Sequence, residues 1–194
     1  MKKISLKAIS QQLVAVLVLQ TIAFAGFAQE KYHAKDKVTL TVSGTSTMHD
    51  WTMKSSKGEA NAVFTVNGTS VTGCTFLSFV TPSESLKSEK SSMDKNAYKA
   101  LKTSSAPTLS FNLTSATVAA DGTVKAQGKL SLAGTTLATE LVGVAKVNAD
   151  KSITVKGSKK ISMKEYSIDP PSFMMGAVKT GNDVTVAFEI TFTK

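Results

Sequence analysis

The sequence predicts an all-β protein of antiparallel strands with one inserted helix. Three observations support this fold class: apolar and polar residues alternate through most of the chain, dipeptides that favour tight turns separate these runs, and one segment has helical spacing instead. The length of 194 residues and the hydrophobic fraction of 42% are typical of one domain with a substantial core and a targeting segment.

Residues 1–28 have the pattern of a secretory signal peptide. Three lysines precede an apolar run from 13 to 24, and Gly26 and Ala28 supply the small residues of a cleavage site. A membrane anchor is the alternative, but this run is shorter than the roughly 20 residues that span a bilayer. We therefore expect cleavage after Ala28, a mature domain at 29–194, and a periplasmic or secreted protein.

The mature chain is moderately basic. Removal of three lysines lowers the formal net charge from +9 to about +6. Every Lys/Arg position in the sequence is lysine, and arginine is absent. Arginine is the residue whose guanidinium group preferentially forms paired hydrogen bonds with phosphate and guanine. Lysine-rich stretches such as 87–102 and 156–164 are typical of solvated surfaces. This composition argues against nucleic acid as a partner and leaves transient contact with an anionic membrane surface open.

Strands are predicted wherever apolar residues occupy every second position. Turn signals such as Asn67-Gly68, Asp121-Gly122 and Ala133-Gly134 separate these runs. Alternating runs occupy 38–43, 60–66, 109–113, 124–132 and 184–192, and 71–80 adds a strand that is apolar on both faces. With the segments that the turn signals at 133–134 and 148–152 separate, about eight strands result from this pattern.

One segment, SSMDKNAYKALK, predicts the helix. Met93 and Leu101, with alanines between them, fall on one helical face, and Ser91 with Asp94 resembles a capping box. We expect the helix to pack this face on the sheet. Many antiparallel strands with one helix fit either a sandwich or a closed barrel, and periodicity does not choose between them.

Residues that could carry catalysis or bind a metal are few. The stretch GTSTMHDW places His49 beside Asp50, but neighbours on a strand point to opposite faces, so the pair would not converge. His33 lies in a polar segment, and no zinc-ligand spacing or serine nucleophile elbow is present. Cys74, the single cysteine, is expected to be a buried, inert thiol. We therefore predict no enzyme, no metal and no cofactor.

Several motifs in order resemble the YceI-like proteins. They are GTSTMHDW, SLKSEKSSMDKNAYKAL, APTLSFNL, GKLSLAGTT and the C-terminal MKEYSIDPPSFMMGAVKTGNDVTVAFEITF, which together cover nearly all of the mature chain. The resemblance implies a lipocalin-like antiparallel β-barrel of about eight strands with one inserted helix. It also implies an apolar tunnel that holds a long isoprenoid or other lipid.

Two stretches contain most of the candidate ligand contacts. Trp51 is out of phase with the inward positions 38, 40 and 42, so an inward indole would need a bulge or bend, which we place at Gly44. The alternative has Trp51 in the ordinary core and His49 in an exposed loop. The loop at 173–175 either plugs the barrel end or covers the ligand. The candidate ligand-binding residues are His49, Trp51, Met93, Phe111, Ala126, Phe173, Met174 and Met175.

We interpret the sequence as that of an exported, non-catalytic protein that binds a lipid or polyisoprenoid. The alternative is a β-sandwich that binds carbohydrate or mediates adhesion, for which one tryptophan and three tyrosines are few aromatic platforms. The sequence leaves open the identity of the lipid and the oligomeric state, a homodimer included.

Overall fold

The structure, a computed structural model, describes residues 29–194, so the predicted signal peptide at 1–28 lies outside the described residues. The described chain forms eleven strands and one α-helix, α1 (Ser91–Ala100). Within residues 29–194, no helix is both long and apolar enough to cross a bilayer. The strands are β1 (Gln29–Lys35), β2 (Val38–Ser46), β3 (Trp51–Ser55), β4 (Glu59–Asn67), β5 (Ser70–Pro82), β6 (Thr108–Val118), β7 (Thr123–Leu132), β8 (Thr135–Val147), β9 (Ile153–Ser162), β10 (Ser172–Phe173) and β11 (Val178–Phe192).

The strands form a continuous antiparallel sheet that curls into a barrel. Its order is β1-β4-β5-β6-β7-β8-β9-β11-β2-β3, and β10 pairs with β11 off this path. His33 of β1 exchanges two backbone hydrogen bonds of 2.8 Å with Thr193 just after β11. Lys54 of β3 forms a similar bridge with Lys87. Each edge strand is thus tied to another part of the chain, and the predicted antiparallel barrel with one inserted helix is confirmed.

Strand β1 was not expected from the sequence. The segment around His33 was interpreted as polar chain after the leader, whereas it pairs with β4 along its whole length. Two of its residues, Tyr32 and Ala34, are buried, and the remainder are charged, polar or partly exposed. Because only two apolar residues mark the inward face, the alternation was too short to be recognised as a strand.

An aromatic cluster closes one end of the barrel, which we call the base. The Phe64 ring lies edge-on to Tyr32 at 5.6 Å and to Phe192 at 5.3 Å between ring centroids. Ile153 is fully buried in the same core cluster. Because edge-to-face aromatic pairs add to the free energy of burial, this cluster is a strong packed closure.

Helix α1 lies at the other end of the barrel, the mouth. Its apolar face packs on the sheet as predicted, because Met93, Ala97 and Leu101 contact a cluster of Met53, Leu86 and Leu109. The predicted capping box is wrong. Lys90 is the N-cap residue without a side-chain cap, and the Asp94 carboxylate instead accepts two 2.7 Å hydrogen bonds from the backbone N–H and hydroxyl of Ser88.

Polar contacts hold the C-terminal part of α1 in place. The Tyr98 hydroxyl lies 2.9 Å from the carbonyl oxygens of both Glu84 and Leu86, and it can donate to either. Beyond the C-terminal end, the Lys102 ammonium donates to the Ser167 carbonyl at 2.9 Å. The helix is therefore fixed against the barrel rim on two sides.

Candidate functional site

The interior of the barrel contains a cavity of about 660 Å³. This volume lies within the range of small-molecule sites, roughly 300–1,000 Å³. Strand alternation creates its wall, since every second side chain faces inward. Inward residues of six strands that line it include Leu40, Leu77, Phe79, Phe111, Leu113, Val124, Ala126, Val155 and Phe188. The wall is therefore predominantly hydrocarbon.

The cavity extends from the mouth to the aromatic base. At the mouth it is lined by Trp51, Met93 of α1 and Phe173 of β10, and at the base by Phe64 and Phe192. Strand β11 runs the whole distance. From Val184, level with Trp51 in the hydrogen-bond ladder, to Phe192 are eight residues, which corresponds to about 27 Å of strand. The site is thus long, and it is closed at the base.

Gly44 makes room for the Trp51 indole. The two residues pair directly across β2 and β3, and a Cβ atom at Gly44 would clash with the indole ring. The indole N–H donates to the Thr45 carbonyl at 3.1 Å. The expected bulge or bend at Gly44 does not lie in the β2–β3 ladder, which is regular up to Gly44, whereas the β2–β11 ladder is irregular between Gly44 and Ser46. The turn at 47–50 changes the inward phase instead, and it brings Trp51 inward.

His49 lies at the rim of the cavity in an exposed turn, not in a strand. The premise that His49 and Asp50 point to opposite faces of a strand is therefore wrong. The His49 Nδ1 lies 2.8 Å from the backbone oxygen of Asp50, so this contact involves a carbonyl oxygen and not the carboxylate. His33 is on β1 beside the base. Within residues 29–194, no three potential ligand side chains are grouped closely enough to hold a metal ion.

Of the eight candidate ligand-binding residues, six line the cavity: His49, Trp51, Met93, Phe111, Ala126 and Phe173. Met175 does not line it. Its backbone is left-handed (φ 55°) and its side chain is fully exposed. The side chain of Met174 lies outside the described part of the structure. Contact of these residues with a ligand stays a prediction.

Sequence reasoning missed Lys159, which lines the cavity. On β9, the inward positions are 153, 155, 157, 159 and 161, so this lysine shares its face with Val155 and Ile161. The lysine-rich composition of 156–164 predicts a solvated surface, and for Lys159 this prediction is wrong. The alternation along β9 could have found it, because every second residue from Ile153 faces the interior, and Lys159 is one of them.

The charge of the cavity wall is positive. Lys90, Lys159 and His49 are the titratable basic residues among the described lining residues, and no aspartate or glutamate is among them. The acids Asp94 and Glu84 near the mouth instead bind Ser88 and Thr103, respectively. An oxygen anion inside the cavity would therefore meet no carboxylate on its wall.

Cys74 also faces the cavity, and its thiol is predicted to be unreactive. Burial raises its pKa to about 11, and its S–H donates to the Phe76 carbonyl at 3.4 Å. Because the thiolate is the nucleophile, we expect a bulky maleimide to label the native protein slowly and the denatured protein rapidly. Timed quenching followed by mass spectrometry measures both rates. Equal rates in the two states would contradict the buried position.

An antiparallel barrel that encloses a long apolar cavity belongs to the class of barrels that bind small molecules. The profile of the YceI-like domain matches residues 31–192, and the chain belongs to this family. The resemblance noted from the sequence motifs is thereby confirmed. No curated relative matches the sequence.

Solved structures share this fold. BcnA of Burkholderia cenocepacia matches with a TM-score of 0.70 and 12% identity over 82% of this chain and 99% of its own. A polyisoprenoid-binding domain of Saccharophagus degradans, implicated in plant cell wall breakdown, gives 0.62 and 12% over 85% and 98%. The YceI protein of Campylobacter jejuni gives 0.55 and 16% over 71% and 85%. At these identities the likeness establishes the fold.

Proposed function

We propose that the protein is an exported, non-catalytic carrier that holds one long isoprenoid or other lipid chain inside its barrel. The observation that carries the proposal is the cavity of about 660 Å³, with its hydrocarbon wall and packed base. The polyisoprenoid-binding domain of similar fold lends further support. The sandwich alternative loses its main support, because the strands form one continuous curled sheet and not two packed sheets.

Burial of hydrocarbon supplies the driving force for this binding. At roughly 25 cal/mol per Å², a chain that buries about 600 Å² of apolar surface gains about 15 kcal/mol. The loss of translational and rotational freedom costs about 4–15 kcal/mol, so the gain matches or exceeds the cost. A linear lipid suits a cavity that extends from the mouth to the base.

Native mass spectrometry of protein purified from its own host tests the proposal. We expect a bound species that organic extraction releases and identifies as a lipid. After delipidation, an added fluorescent isoprenoid should bind and raise the melting temperature, because a ligand that binds the folded state stabilises it. Extraction of no lipid, together with neither binding nor a thermal shift, would refute the carrier function.

The same spectrum tests export. If the leader is removed after Ala28, we expect the mass of a polypeptide whose first residue is Gln29. Recovery of the chain from the periplasm or medium with Met1 still present would contradict the predicted cleavage. Lipid binding and export are thus scored separately in one measurement.

A further inference from the structure

Lys159 differs from the lysines around it on β9. Lys156 and Lys160 face outward and form salt bridges with Glu189 and Asp183, at 3.1 and 2.9 Å respectively. Lys159 is half-buried and lines the cavity. Among the described residues, no carboxylate lies within salt-bridge distance of its ammonium group. The strand therefore directs one lysine without an acidic partner into an apolar site.

Lys159 also lies in the part of β9 that is no longer paired with β8. The β8–β9 ladder runs from Val147↔Ile153 to Gly143↔Gly157 and ends there, while β9 continues in register with β11 alone. Lys159 is the first inward residue beyond this end. Backbone groups that have no strand partner require other polar partners or water. A charged headgroup is therefore better accommodated here than deeper in the barrel.

The position along the barrel leaves room for a tail. Lys159 pairs with Val186, two residues along β11 from Val184, which is level with Trp51. Two residues of strand correspond to about 7 Å, so Lys159 lies one inward row below the mouth. From Val186 to Phe192 at the base, six residues span about 20 Å. A headgroup at Lys159 would thus have a long apolar channel below it.

A lysine in such a place is unfavourable for a purely hydrocarbon ligand. An ammonium that loses water without gaining a partner is destabilised, and an apolar side chain would serve a neutral ligand better. An anionic oxygen group offers a charge-assisted hydrogen bond to the same ammonium. The absence of carboxylates from the described cavity wall removes the main source of repulsion.

We propose that the ligand is an amphiphile with an anionic oxygen headgroup, a carboxylate or a phosphate, which pairs with Lys159 while its chain extends to the base. This inference rests on the proposed function, because it names the class of lipid that the cavity selects. Trp51 and α1 then lie above the headgroup, on the side of the mouth.

Matched ligand pairs test this selection. Delipidated wild type and Lys159→Met are titrated with hexadecanoate against hexadecanol, and with geranylgeranyl monophosphate against geranylgeraniol, by displacement of a neutral fluorescent isoprenoid. We expect wild type to bind at least one acid roughly tenfold or more tightly than its alcohol. Lys159→Met should lose this preference and retain affinity for the alcohol. If wild type prefers the acid in only one of the two pairs, that pair identifies the headgroup: a carboxylate for hexadecanoate, a phosphate for geranylgeranyl monophosphate.

Two other lysines supply the controls. Lys160→Met, on the outer face, should keep the preference, and retained alcohol binding by Lys159→Met reports that the barrel is folded. Equal binding of acid and alcohol by wild type would overturn the inference and leave the carrier function standing. A preference that survives in Lys159→Met, or that disappears in Lys90→Met instead, would also overturn it. If neither the fluorescent isoprenoid nor any of the four ligands binds, and organic extraction releases no lipid, the proposed function itself fails.

Discussion

Ala126→Trp is expected to abolish lipid binding while the barrel remains folded. Ala126 lines the cavity from β7, with Ala116 and Leu141 as its partners on the neighbouring strands. An indole at this position extends into space that the ligand would occupy, so we expect affinity to fall roughly a hundredfold or more. Overpacking costs about 1–3 kcal/mol, which a well-packed barrel tolerates.

The effect of Ala126→Trp is measured as lipid retained during purification and as the affinity for a fluorescent isoprenoid. Ala138 offers a matched control, because it lies on β8 facing outward and is exposed. Ala138→Trp adds the same indole to the outer surface and should leave binding unchanged. Equal affinity in Ala126→Trp and wild type would show that the ligand does not occupy the barrel interior.

The β-strands illustrate what alternation can predict. The runs at 38–43, 60–66 and 184–192 became β2, β4 and β11, because each has several large apolar residues at every second position. The Ala133-Gly134 turn was also confirmed: it joins β7 and β8, with φ values of 49° and 84°. Such values at both central positions define a tight hairpin turn. Local chemistry therefore specified these elements without tertiary information.

The cavity could not be deduced in the same way. An inward residue such as Phe111 has the same sequence pattern whether it packs against another side chain or lines a void. Which of the two occurs depends on the width of the barrel, and strand pairing, not local sequence, sets that width. The tunnel was predicted from the family resemblance, and the residues that line it were identified from the structure. Lys159 shows that composition alone can mislead. The lysine-rich segment predicted a solvated surface, whereas the alternation of β9 places this residue inside the barrel.

Local signals also failed where long-range contacts compete with them. Asp94 has the sequence position of a capping-box acid, yet its carboxylate binds Ser88 before the helix. Trp51 appeared out of phase, and a turn at 47–50 resolved the conflict. Both cases concern the mouth of the barrel. There, segments that are not neighbours in a strand ladder meet, so alternation gives little guidance.

The aromatic base explains why the cavity does not pass through the whole barrel. Phe64 is 1% exposed and contacts Tyr32 and Phe192 edge-on, so its ring links its own strand to β1 and β11. Its other side faces the cavity. Removal of this ring would leave a void that joins the existing one, which the surrounding strands cannot easily close. Phe64 therefore stabilises the fold and limits the depth of the site.

We accordingly expect Phe64→Ala to lower the free energy of unfolding by about 3–5 kcal/mol. Urea unfolding monitored by the fluorescence of Trp51, the single tryptophan, measures this change at the opposite end of the barrel. Phe76 is the matched control, because it lies on the neighbouring strand β5 and is 49% exposed. Phe76→Ala should cost only about 0.5 kcal/mol, as is typical of surface substitutions. Similar losses in the two variants would mean that the base is not a packed closure, and the lower limit of the cavity would then lie elsewhere.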